Sequence, residues 1–195
     1  MTGQSIKTNR TIALVGLMGA GKSAIGRRLG VRLGLEFVDA DVEIEASAGK
    51  TITEMFELHG EVTFRKCERR VIRRLLAGPV RVLATGGGAF IDSKTRFLIR
   101  EQALSIWLRA DLDTLYRRVL RRDDRPLLEA GDPRKILATL FEERYPIYGL
   151  ADIVVDSTDG SLDEMVNRVI TGIAEYNRLH RVKFDSYVRA KEALE

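Results

Sequence analysis

The 195 residues include 32 Lys and Arg against 28 Asp and Glu, a formal charge of +4, and are 45% hydrophobic and 31% charged. That is enough chain for one domain with a real core, and the positive excess is too small to argue for a nucleic-acid partner. A single cysteine, Cys67, excludes an internal disulfide, no run reaches the roughly 20 apolar residues of a bilayer span, and the opening MTGQSIKTNR lacks an apolar signal core, so a reducing cytoplasm with no membrane contact is expected.

The first predicted element is TIALV at 11–15, a short apolar run that reads as a buried strand feeding a glycine-spaced loop. Ile25, Leu29 and Leu33 follow at steps of four, one stripe of a helix ending near Gly34. EFVDAD at 36–41 is the second strand, and a helix-like stretch over 51–77 opens on the capping box of Thr51 with Glu54. Strand VRVLA at 80–84, a helix over 92–101, strand LSIWL at 104–108 and a helix over 111–121 continue the rhythm. The last strand is DIVVD at 152–156. The helix after it starts at 161 with the capping box of Ser161 and Glu164, and its apolar face is Leu162, Val166, Val169, Ile170 and Ile173. Five continuous apolar strands alternating with helices specify an α/β protein with a parallel sheet covered on both faces, whose ligands collect at the carboxyl ends of the strands. No internal repeat or low-complexity linker divides the chain, so 1–195 is expected to be a single domain.

Chemistry enters at 16–23, GLMGAGKS, which fits GxxxxGK followed by Ser or Thr between a strand and a helix. Glycines let successive backbone N–H groups wrap a phosphate, the helix start adds its partial positive charge, Lys22 reaches the outer phosphates and Ser23 offers a hydroxyl to Mg²⁺. Four more polar clusters follow. Asp39 and Asp41 end the second strand, where one carboxylate can face a metal and the other a neighbouring pocket; the alternative is a turn Asp and a cap for a helix over 42–48. In FRKCERR at 64–70, Phe64, Cys67, Val71 and Leu75 form the buried stripe, which makes Cys67 core rather than nucleophile, while Arg65 and Glu68 are spaced to pair. That pair either orients Arg65 toward a carboxylate or is a solvated ion pair. Gly86, Gly87 and Gly88 leave the third strand bare of side chains where a ligand could meet backbone. RRDDRPLL at 121–128 reads as a mobile flap bearing Arg125, and Arg144 stands just before Pro146, which should end its helix.

In this order the motifs GLMGAGKS, DAD, FR with Glu68, GGG, and RPLL followed by R-x-x-x-Y resemble those of the shikimate kinases, members of the nucleoside monophosphate kinase-like P-loop proteins. The resemblance runs from about 11 to 176, leaving 177–195 as a C-terminal extension whose basic, amphipathic tail from His180 is expected to be an extra docked helix. It implies a three-layer P-loop fold with strand order 2-3-1-4-5 and a mobile lid. It also implies ATP-dependent phosphorylation of the shikimate 3-hydroxyl, within aromatic amino-acid biosynthesis.

Carried onto matching positions, it makes Gly19, Ala20, Gly21, Lys22, Ser23, Ala24 and the lid residue Arg125 the ATP-binding set. Ser23 and Asp39 become the Mg²⁺ contacts, and Asp41, Arg65, Gly86, Gly87, Gly88 and Arg144 the shikimate site, with Lys22, Asp41 and Arg125 catalytic. The family's adenine-contacting segment is not matched, since 157–160 offers no aromatic platform. Other readings stay open: a kinase of another small acceptor such as gluconate, or a nucleotide-gated RNA-binding module using Arg69, Arg70, Arg73 and Arg74, a face without interleaved aromatics. No exposed apolar heptad suggests self-association, so a monomer is expected.

Overall fold

Every side chain of the TIALV run is buried, and it forms the central strand β1 (Thr11–Val15) of the computed structural model, which describes residues 8–121 and 132–192, with side chains to His180. The remaining strands are β2 (Glu36–Asp39), β3 (Arg81–Ala84), β4 (Ala103–Arg109) and β5 (Ile153–Asp156). All pair in parallel in the order β2-β3-β1-β4-β5, the expected topology. Burial follows position in the sheet: β1 and β4 are covered on both faces almost throughout, whereas the edge strand β5 alternates buried and exposed.

The helices are α1 (Lys22–Leu33), α2 (Ala40–Ala48), α3 (Ile52–Leu76), α4 (Ser93–Gln102), α5 (Leu112–Val119), α6 (Pro133–Tyr148) and α7 (Leu162–Glu192). The connection β1 to β2 runs toward one edge of the sheet and β3 to β4 toward the other. Right-handed crossovers therefore put α1 and α4 on opposite faces and produce the three layers. Helix α7 packs on α1 and β5.

Four sequence expectations are corrected. The second strand stops at Asp39 because its carboxylate accepts from the Asp41 N–H at 3.1 Å and starts α2, so Asp41 stands in a first helical turn rather than on a strand. Helix α3 is broken at Gly60, whose φ of 71° and ψ of 171° suit glycine alone. Pro146 does not end α6, which continues to Tyr148; it deprives the ladder of one donor only two residues from the terminus, where the cost is small. The tail from His180 is the continuation of α7 rather than a separate docked helix.

Candidate active site

The carboxyl ends of the strands carry the expected loops, and the strand order distributes them. The phosphate-type loop at 16–23 leaves the central β1. Asp39 and the triple-glycine loop leave β2 and β3 on one side of it, and Arg118 and Ser157 follow β4 and β5 on the other.

In the central loop Gly19 and Gly21 have φ of 81° and 91°, and Gly21 precedes α1 with no side-chain cap, so the partial positive end of that helix borders the cleft lined by residues 19–25. Lys22 Nζ donates to the carbonyls of Gly16 at 2.7 Å and Leu17 at 2.9 Å, which draws its ammonium over the loop. Ser23 Oγ donates to Asp39 Oδ2 at 2.6 Å, while Asp39 Oδ1 holds the start of α2. The cap and the metal readings of Asp39 are thus compatible, one oxygen serving each. A hydroxyl and a carboxylate beside a phosphate loop form a hard-oxygen set of the kind Mg²⁺ shares with nucleotide phosphates, so the residues present fit that ion.

On the β2–β3 side, Arg65 projects from α3 and is fixed from three directions. Its Nη1 donates to Glu68 Oε2 at 2.7 Å, Nε and Nη2 reach Glu61 Oε1 at 3.3 and 3.2 Å, and the Phe64 ring centroid lies 5.2 Å from Cζ. Glu68 is only 1% exposed, so the pair is not the solvated one. Burial drives the Glu68 carboxyl above the usual range and Arg65 only partly opposes it; burial also acts against the Arg65 charge, but Glu68 and Glu61 outweigh it and keep the guanidinium protonated.

The glycine triplet is what allows this crowding. A Cβ on Gly86 would lie 2.6 Å from Asp41 Oδ1 and 3.2 Å from Glu68 Oε1, and one on Gly88 would lie 2.2 Å from Arg65 Nη2. Gly87 sits against the phosphate loop, with Met18 N 3.7 Å from the position a Cβ would take. Arg144 Nη1 approaches the Gly87 carbonyl at 3.4 Å. Asp41, Arg65, Arg144 and all three glycines therefore lie near one another at the carboxyl end of the sheet. Cys67, expected in the buried stripe, is only partly covered; Glu68 occupies the inner position instead. Arg125 and the flap at 121–128 lie outside the described residues, apart from Arg121.

Two cavities border the triplet, one at Gly87 and one at Gly88. One of about 420 Å³ runs from Asp41 and Gly87 along 19–23 to Arg118 and Thr158, and one of about 500 Å³ lies beyond Arg65, Gly88 and Arg144. Arg118 is the residue that sequence reasoning missed. From the last turn of α5 it donates to Ser157 Oγ at 2.9 Å and the Thr158 carbonyl at 2.7 Å, and it touches the Gly19 carbonyl at 3.4 Å, so a guanidinium rather than an aromatic ring borders that end.

The family model "Shikimate kinase" matches residues 18–174. Among curated relatives, shikimate kinase of Paramagnetospirillum magneticum is 55% identical over 175 residues, 90% of either chain. That of Bradyrhizobium diazoefficiens is 56% identical over 161 residues, 83% of this chain and 78% of the relative. Among solved structures, shikimate kinase from Acinetobacter baumannii in complex with shikimate superposes with a TM-score of 0.82 at 36% identity, covering 86% of this chain and 94% of that one.

Proposed function

Because the chain belongs to the shikimate kinase family and is an ATP-dependent kinase acting on shikimate, we propose a division of that reaction among its residues. Arg65 and Arg144 grip the carboxylate of the acceptor, and the backbone of Gly86, Gly87 and Gly88 lines its ring. Asp41 receives or orients the 3-hydroxyl, and 19–24 with Lys22 holds the ATP phosphates. The observation that carries this reading is the contact of the glycine triplet with the phosphate loop at Gly87, while Asp41 and Arg65 flank it at Gly86 and Gly88. An acid gripped there has its alcohol directed at the phosphate cradle, which is what in-line transfer requires. Mg²⁺, held by Ser23 and by Asp39 directly or through water, would neutralise charge on the phosphates. Lys22 contributes a fixed positive charge where negative charge develops, and the covered floor around Glu68 limits the access of competing water.

Phosphates on the loop direct the nucleoside away from Asp41, along the β4–β5 side, toward Arg118 and 157–158. Arg118→Ala is expected to raise the KM for ATP about tenfold, the loss of one or two charge-assisted contacts, with the KM for shikimate unchanged. Steady-state kinetics with either substrate varied checks it.

The kinase core is taken to run from about 11 to 176, with 177–195 as an extension, in keeping with the match over 18–174. A monomer is proposed because the sequence carries no exposed apolar heptad. A cytoplasmic location is in keeping with ATP as co-substrate and an unpaired Cys67. Among the described residues no helix is long and apolar enough to cross a membrane.

The direct test is ADP release with shikimate, with gluconate and with neither, before and after chelation of divalent cations. Shikimate alone should stimulate it, and chelation should abolish the stimulation. Stimulation by gluconate and not by shikimate, or steeply salt-dependent oligonucleotide binding with no stimulation at all, would overturn the assignment.

A further inference from the structure

Tyr148, the terminal residue of the R-x-x-x-Y motif, has no part in the scheme above, yet it is wholly buried and its hydroxyl donates to the Gly87 carbonyl in the middle of the glycine triplet. Its ring cannot drift. It stacks on Trp107 of β4 with centroids 6.0 Å apart and meets the edge of Tyr145 at 6.4 Å. Burial pushes the phenol well above its usual range, so the hydroxyl stays a proton donor throughout the working pH range.

A run of three glycines is the least constrained backbone a chain can have, and here it must hold a precise shape. At one end Thr85 is pinned, its N–H and Oγ1 bonding the Leu14 carbonyl at 3.1 and 3.0 Å; after the triplet, Ala89 N–H turns back to the Gly86 carbonyl at 3.1 Å. Between those ties, among the described residues, the groups that reach the peptide joining Gly87 to Gly88 are Tyr148 and, more distantly, Arg144. Because the peptide is planar and trans, drawing its carbonyl toward Tyr148 directs the Gly88 N–H the opposite way. Among the described residues neither the Gly87 nor the Gly88 N–H has an acceptor. Tyr148 and Arg144 stand one turn apart on α6, so the helix that brings a carboxylate-gripping guanidinium also sets the peptide beside it.

The geometry points to Tyr148 as a positioning residue of the acceptor site: its hydroxyl fixes the Gly87 carbonyl, which Arg144 also contacts, and so holds the peptide between Gly87 and Gly88 in one orientation where Gly88 lines a cavity with Arg65 and Arg144. This rests on the shikimate kinase reading. Tyr148→Phe keeps the ring packing and removes only the hydroxyl. It should raise the KM for shikimate about tenfold and leave the KM for ATP within about twofold. Tyr145→Phe removes a hydroxyl from the same aromatic cluster, where it serves Ala110 rather than the triplet, and should leave the KM for shikimate within about twofold. In the parent protein, the Gly88 amide resonance should move when shikimate is titrated in, a readout that holds even if the variant fails to fold.

An active parent combined with an unaltered shikimate KM in Tyr148→Phe overturns the positioning role alone. So does an equal rise in both variants, a parallel rise in the KM for ATP, or a Gly88 resonance indifferent to shikimate. A parent with no shikimate-dependent ADP release overturns the underlying function as well.

Discussion

Asp41→Asn is expected to lower shikimate-dependent turnover by about 10²- to 10⁴-fold, with ATP affinity held within about twofold. The substitution is isosteric, and the hydrogen bond that starts α2 uses the Asp41 backbone N–H with the Asp39 carboxylate, so the local turn survives it. What is lost is a negative charge and a proton acceptor beside Gly86, on the acceptor side of the phosphate loop. The 16–23 loop, Lys22 and the Ser23–Asp39 contact are untouched, which is why nucleotide binding should persist. Calorimetric titration with ATP alongside an ADP-release assay separates the two effects. Turnover near the parent rate would remove Asp41 from the chemistry. If Asp41 takes the proton, the acidic limb of the pH–rate profile should also disappear in the variant; if it only orients the hydroxyl, that limb should remain.

The second large effect belongs to Arg65→Ala. Loss of the carboxylate grip should weaken shikimate binding by about 2 to 4 kcal/mol, seen as a raised KM with ATP binding intact. The same change also strands Glu68, 1% exposed, without the guanidinium that compensates it. Removing one partner of a buried pair costs about 3 to 5 kcal/mol of stability, so a large fall in melting temperature should accompany the kinetic defect. Its pH dependence has a definite sign. Glu68 already has a folded-state pKa above its unfolded one because of burial, and losing Arg65 raises it further. A carboxyl of that kind contributes stability below its unfolded pKa and loses it as pH climbs through the folded value. The melting deficit against the parent should therefore be smaller at mildly acid than at mildly alkaline pH, and Arg65→Ala/Glu68→Gln should recover much of the stability without recovering shikimate binding. A deficit equal at both pH values would show that Glu68 carries no unpaired charge in the variant.

The five strands, the phosphate loop and the triple glycine could be read from the chain because each is encoded locally: apolar runs mark the strands, and spacing within eight residues defines the loop, whereas the order of the strands in the sheet followed only from the family resemblance. Arg65 was legible for the same reason, through its three-residue step to Glu68. Depth was not legible, and neither was convergence. A helix periodicity that points Cys67 inward gives no reason to bury a carboxylate, and Glu68 is covered only because Arg65 neutralises it and the facing loop has no side chains. Arg118 meets Ser157 across 39 residues and Tyr148 meets Gly87 across 61, so neither partnership leaves a pattern within a short window. The Asp pair was half legible: its proximity to the loop could be expected, but the turn that splits the two carboxylates between a strand end and a helix start depends on the cap that Asp39 makes.

The lateral arrangement along the sheet bears on how such an enzyme can change its diet. Nearly every residue proposed to meet the acid lies in the consecutive stretch 41–88, so on that proposal a descendant could be retuned for a different alcohol by rewriting that stretch while its fuel-handling flank stays as it is. Helix α6 breaks the partition. It arrives from the far flank with Arg144 and Tyr148 clasping Gly87, and a transplanted 41–88 segment would be expected to work only where residues 144 and 148 were inherited with it.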